Sequence, residues 1–135
     1  MVKITGEYQG DLHCSAVHGP SGDELSTDAP KDNRGRGAAF SPTDLVATAF
    51  ATCIATTMAI VARNHGVEID GIRYEVTKEM APDAPRRIST LNARMWMPAS
   101  ARKVPAGLLE HAANNCPVHK SLDPSVKRVI EFIWE

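Results

Sequence analysis

Between residues 41 and 66 apolar side chains recur on nearly every face of a helical projection, whereas the flanking segments either alternate or break. Ser41-Pro42-Thr43-Asp44 places a hydroxyl at the N-cap, a proline at the first helical position and the Asp44 carboxylate in capping-box register, which predicts a helix start. Arg63-Asn64-His65-Gly66 supplies the matching stop signals. At 1.5 Å per residue such a helix extends about 36 Å, more than the radius of a domain of this size, so it is expected to run through the middle of the molecule. Val46, Ala49, Phe50, Ala51, Ile54, Ala55, Met58 and Ile60 are spread around its axis, and the expectation is burial on all sides. A membrane span is the competing reading. Thr48, Thr52, Thr56 and Thr57 interrupt it, alanine carries much of its apolarity, and both ends are capped as in water-soluble helices.

The remaining pattern is mostly of strand type. Segments 4–8 and 12–17 flank the polar turn Gln9-Gly10-Asp11 and predict a hairpin of two antiparallel strands. Residues 19–41, with Gly-Pro-Ser-Gly and Asn33-Arg-Gly-Arg-Gly37, lose periodicity and are expected to be mainly loop. Residues 71–80 alternate, with Ile72, Tyr74, Val76 and Met80 on one face, and 87–97 follow as their partner strand, ended by Pro98. Leu108, Leu109, Ala112 and Ala113 predict a helix within 105–115, and 126–134 read as a last strand. Strands, long helix, strands, helix, strand: the order predicts an α+β domain with mainly antiparallel pairing, one domain over 1–135.

Composition narrows the function. Fifteen Lys and Arg residues stand against 16 Asp and Glu, for a net charge of -1 and no long basic run, which argues against a nucleic-acid partner. Aromatic residues make up 5%, too few for a base-stacking platform. The first residues lack the pattern of a signal peptide and three cysteines cannot pair completely, so the expected compartment is a reducing cytoplasm. At this length a core buries about two-thirds of the unfolded chain's surface, so folding needs neither disulfide nor structural metal, and the cysteines are free for chemistry.

Cys53 lies about three turns into the apolar helix, where an unpaired cysteine usually serves as a small core hydrophobe. Cys116 precedes Pro117 and is placed to cap a short turn, where backbone N–H groups and the local dipole are expected to favour a thiolate. Cys14 reads as packing within a strand. His119 follows Cys116 by one turn; with Cys53 and His111 it suggests a zinc site that lacks a well-spaced fourth ligand, and a Cys-His acyl-transfer pair lacks an orienting residue. No metal or cofactor is expected, and His119 and Lys120 read more simply as solvated helix-end groups.

The run Phe40-Ser-Pro-Thr-Asp-Leu-Val-Ala-Thr-Ala-Phe-Ala-Thr-Cys53, together with Asn114-Asn-Cys-Pro-Val-His-Lys-Ser-Leu122, resembles the two signature segments of the OsmC/Ohr family of thiol peroxidases. The resemblance spans most of the chain. It implies an OsmC-like fold with antiparallel sheets around the central helix, and an intertwined homodimer with its active sites at the subunit interface. It also implies that Cys53 is the peroxidatic thiol and Cys116 the resolving one. Because Cys53 lies beyond the helix's first turn, the dipole can do little for its thiolate and a nearby cation is required. Family members resemble one another in supplying an arginine from the preceding segment, held by a helix-start carboxylate. Here Arg34 and Arg36 are the arginines, and an extended chain would put both on the same side. The family carboxylate directly follows the helix-start proline, but Thr43 stands there and Asp44 comes one place later, where capping alone accounts for it.

The resemblance therefore implies a cytoplasmic peroxidase that reduces organic hydroperoxides or hydrogen peroxide, with an external thiol reductant of dihydrolipoyl type or thioredoxin. A non-peroxidase member of the same fold, a thiol protein that binds or hydrolyses a small molecule, is the alternative that Thr43 favours.

Overall fold

A computed structural model describes residues 1–135. The chain forms two compact units, Met1–Val46 and Ala47–Glu135, with the boundary inside the long helix.

In the first unit β1 (Ile4–Gly10), β2 (His13–His18) and β3 (Glu24–Asp28) form an antiparallel meander in the order β1-β2-β3. The β1–β2 turn is made by three consecutive left-handed residues, Gly10, Asp11 and Leu12, with φ of 87°, 51° and 59°. The strand β3 corrects the expectation of loop across 19–41: Glu-Leu-Ser-Thr-Asp has little apolar alternation, yet its backbone pairs with β2 from Glu24↔Val17 to Asp28↔His13. An edge strand is held by ladder hydrogen bonds, which leave no mark in hydropathy. Beyond it a 3-10 turn, Lys31–Asn33, leads towards the helix. Asp28 and Ser41 are the buried residues of this unit, while Ile4, Tyr8, Leu25 and Phe40 are exposed.

Helix α1 spans Pro42–Arg63. Its start is a reciprocal capping box, in which the Ser41 N–H donates to Asp44 Oδ2 at 2.9 Å and the Asp44 N–H to Ser41 Oγ at 3.1 Å. Asp44 thus fills the capping role that the sequence assigns it.

From Ala47 onward α1 is the spine of the second unit, against a sheet of order β4-β5-β6. Strands β4 (Arg73–Met80) and β5 (Ile88–Met97) are antiparallel, but β6 (Lys127–Trp134) runs parallel to β5, an exception to the antiparallel pairing expected. The cause is the connection: a 3-10 turn at Ala99–Lys103, then α2 (Leu108–Asn114) and α3 (Pro117–Ser121), carry the chain back to the end where β5 began. Central strand β5 turns Leu91, Ala93, Met95 and Met97 inward, and these meet Phe50, Ile54, Met58 and Ala62 of α1 and Leu109 of α2 in one cluster. Burying each of the larger side chains contributes about 1.5–3 kcal/mol.

By length and composition α1 could cross a membrane. Instead, one side of it is the core of this unit. The opposite side is not covered within one chain: Thr56 is exposed, Ile60 retains 57% of its accessible surface, and Ala49, Thr52, Cys53 and Thr57 are half-buried. Within one chain the burial is therefore one-sided, because a three-stranded sheet with two short helices reaches only one face of a cylinder this long.

Candidate thiol site

In the second unit α1 and the α2–α3 junction bring Cys53 and Cys116 together. Both are free thiols, Cys53 half-buried and Cys116 with 0% exposure. Cys116 is the N-cap of α3, ahead of Pro117, as the sequence predicts: its Sγ accepts the His119 N–H at 3.4 Å, and its carbonyl accepts the Lys120 N–H at 3.0 Å. Cys53 Sγ lies 3.9 Å from Thr57 Oγ1, one turn further along α1.

Burial is the largest influence on the Cys116 thiol and pushes it up; the His119 and Val118 N–H groups pull it down, a hydrogen bond with Cys53 and the charge of a Cys53 thiolate raise it further, and the net shift is upward. The thiolate that capping was expected to favour at Cys116 is therefore not its resting form. A five-residue helix sums few peptide dipoles, and complete desolvation outweighs them.

His119 departs from the solvated role expected of it. Its ring lies 5.8 Å from that of Phe50, which stands one turn before Cys53, and its Nδ1 is buried without a hydrogen-bond partner. Burial first, then the charges of Arg128 and Lys120, lower its pKa and keep the imidazole neutral near pH 7. Arg128 Nη1 donates to the His119 carbonyl at 2.8 Å and pins the turn. Lys120 is exposed, as is His111 on α2, and no group of three or more His, Cys, Asp or Glu side chains is placed to hold a metal ion.

The other predicted residues belong to the first unit, where the two arginines part company. Arg34 has a left-handed backbone, φ 70°, as the C-cap of the 3-10 turn, so the segment is not extended and the two guanidinium groups do not share a side for the reason expected. Arg36 Nη2 donates to Asp28 Oδ1 at 3.5 Å. Asp28 is 1% exposed and also bonds His13 Nδ1, at 2.5 Å, and the Ala38 N–H, at 3.1 Å. Neither Asp28 nor His13 is marked in the sequence, and Phe50 reads there only as an apolar helix position; an aspartate at the edge of a segment without periodicity carries no signal of burial. Cys14 sits half-buried in β2, in register with Tyr8 and Thr27.

A family profile for OsmC-like proteins matches residues 35–131. Among solved structures, a Psychrobacter arcticus protein provisionally described as an osmotic stress induced and detoxification response protein is similar at 40% identity and TM-score 0.86, over 98% of this chain and 96% of that one. An organic hydroperoxide resistance protein OsmC from Legionella pneumophila is 13% identical, with TM-score 0.72 over 98% of this chain and 96% of that chain. An organic hydroperoxide resistance protein from Elizabethkingia anophelis is 12% identical, with TM-score 0.79 over 100% and 96%. The last two share the fold. No match was found among curated protein sequences. The chain belongs to the OsmC-like family, and its α+β architecture is the OsmC-like fold.

Proposed function

We propose that this protein is a thiol peroxidase that reduces organic hydroperoxides or hydrogen peroxide. The observation that carries the reading is the adjacency of two free thiols, Cys53 on α1 and Cys116 at the α3 cap. The Cys53 thiolate attacks the peroxide O–O bond, giving Cys53 sulfenic acid and an alkoxide that takes up a proton and leaves as the alcohol. Cys116, deprotonated in turn, attacks the sulfenic sulfur; hydroxide departs as water, and an external dithiol of dihydrolipoyl type or thioredoxin reduces the resulting disulfide. Thr57 and the Phe50–His119 pair border the Cys53 side of this site. Arg36 supplies the cation that stabilises the Cys53 thiolate and Asp44 orders the start of α1; Arg34, whose left-handed backbone caps the 3-10 turn, is the second candidate for the cation.

The protein acts as a cytoplasmic homodimer with the thiol site at the subunit interface. Support comes from the uncovered side of α1 and from a first unit whose apolar residues Ile4, Tyr8, Leu25 and Phe40 remain in solvent. The alternative, a non-peroxidase thiol protein, is favoured by Thr43 at the family's carboxylate position and by the capping use of Asp44. Steady-state turnover of cumene hydroperoxide with dihydrolipoyl compounds and with thioredoxin separates the two. Sustained turnover with either supports the peroxidase, and none with both, in protein whose thiols are reduced, supports the alternative.

A further inference from the structure

We propose that the cavity bordered by the 3-10 turn Ala99–Lys103, the segment leading into α2 and the end of β6 is a second binding site, for a small apolar zwitterion of the amino-acid class whose ammonium group bonds Glu110 and whose carboxylate bonds Arg102. All of its lining residues lie in the second unit, and none belongs to the thiol site.

The cavity has a volume of about 280 Å³. That is just below the range of about 300–1,000 Å³ for pockets that hold drug-sized ligands, so it suits a metabolite of amino-acid size rather than a nucleotide cofactor. Its lining is apolar at Val104 and Leu109, both buried, with Pro105 and Trp134 beside them, and an aliphatic group set there leaves water on both partners. Glu110, on α2, is what asks for a ligand. Its Oε2 is buried without a hydrogen-bond partner. A buried carboxylate oxygen with no donor costs free energy, and nearly all such groups in folded proteins have a partner. Asn114 Nδ2 donates to the Glu110 backbone carbonyl, at 2.8 Å, and not to the carboxylate.

Arg102 lines the same cavity and does not satisfy Glu110 Oε2. Its Nε donates to the Glu135 backbone carbonyl at 2.8 Å, and its guanidinium carbon lies 5.8 Å from the centre of the Trp134 ring. Two contacts with the end of the chain thus hold the guanidinium in place, and the N–H donors of its two Nη atoms remain to take a carboxylate in bidentate fashion. An anion and a cation kept apart in one cavity complement a molecule that carries both charges. A plain amine would set its charge beside Arg102 with nothing to offer it, and a plain acid would leave Glu110 Oε2 unmet and add a second anion. The zwitterion satisfies both groups and keeps the filled cavity neutral.

The test is titration calorimetry on the full chain at neutral pH with free L-leucine, and with isoamylamine and 4-methylvalerate, which each keep its aliphatic body and one of its two charges. Leucine is expected to bind saturably, and each single-charge probe about tenfold more weakly, the loss of one charge-assisted contact. Glu110→Gln should weaken leucine by about tenfold and leave 4-methylvalerate no weaker than on the parent protein. Arg102→Met should weaken leucine to a similar degree and leave isoamylamine no weaker. The absence of saturable binding of leucine, methionine and phenylalanine at millimolar concentration overturns the proposal, as does a leucine affinity unchanged in either variant. Should Glu110→Gln not fold, the order of the three probes on the parent protein and the effect of Arg102→Met, at an exposed position, decide the matter: leucine binding no tighter than isoamylamine, or no tighter than 4-methylvalerate, counts against the site.

Discussion

Cys53 and Cys116 stand close together in surroundings that differ. Cys116 has no accessible surface, and burial holds it as a thiol, so the resolving role proposed for it requires deprotonation first. Its thiolate fraction rises with pH towards its elevated pKa; closure of the disulfide after Cys53 has been oxidised should therefore accelerate by about tenfold per pH unit above neutrality. Stopped-flow tryptophan fluorescence can follow that step, and a rate flat from pH 7 to 9 would show that deprotonation of Cys116 does not limit it. Substitution separates the roles: Cys53→Ser should abolish the first oxidation, whereas Cys116→Ser should permit it and leave a sulfenic acid that dimedone traps at Cys53. The N-cap position of Cys116 was legible from its neighbours, whereas Cys53 read by itself as a core hydrophobe and gained a role only from the family resemblance. The protonation of Cys116 was not, because sequence shows the capping N–H groups and the dipole but hides the desolvation that outweighs them. Asp28 was hidden for a related reason, since only the β2–β3 ladder gives it His13 as a neighbour.

Among the elements, α1 shows how far local signals reach. Serine, proline and aspartate in capping register mark its start to the residue, and the structure closes the box they describe. Ser41→Ala should cost about 1 kcal/mol, a fall of several degrees in Tm by calorimetry. In the core, Leu91→Ala on central strand β5 should cost about 2–5 kcal/mol, since it opens a cavity within the apolar cluster that also holds Phe50 and Met58. Hydropathy found β5, whose inward positions are apolar, and missed β3, whose stability comes from backbone pairing. It also could not tell that β6 pairs parallel to β5: pairing direction is set by the path through α2 and α3, and no residue of β6 records it.

For the whole molecule, the apolar circumference of α1 asks for more cover than one chain supplies. The sheet and short helices of the second unit meet Phe50, Ile54 and Met58, leaving Ile60 and Thr56 outward. A second copy laid on that side is the occupant proposed, with an interface on the order of 2,000 Å² in total. Light scattering at low micromolar concentration should return twice the 14.6 kDa of the chain, and Ile60→Glu should shift the mass towards one chain by placing a charge in an apolar interface. A single-chain mass for the parent would contradict the dimer. The proposed chemistry requires above all that Cys53 and Cys116 form one redox pair, which peptide mapping after one equivalent of cumene hydroperoxide reads out. Two thiols should be lost, with a Cys53–Cys116 disulfide formed and Cys14 unmodified; a disulfide to Cys14, or Cys53 left as a thiol, would rule the pair out.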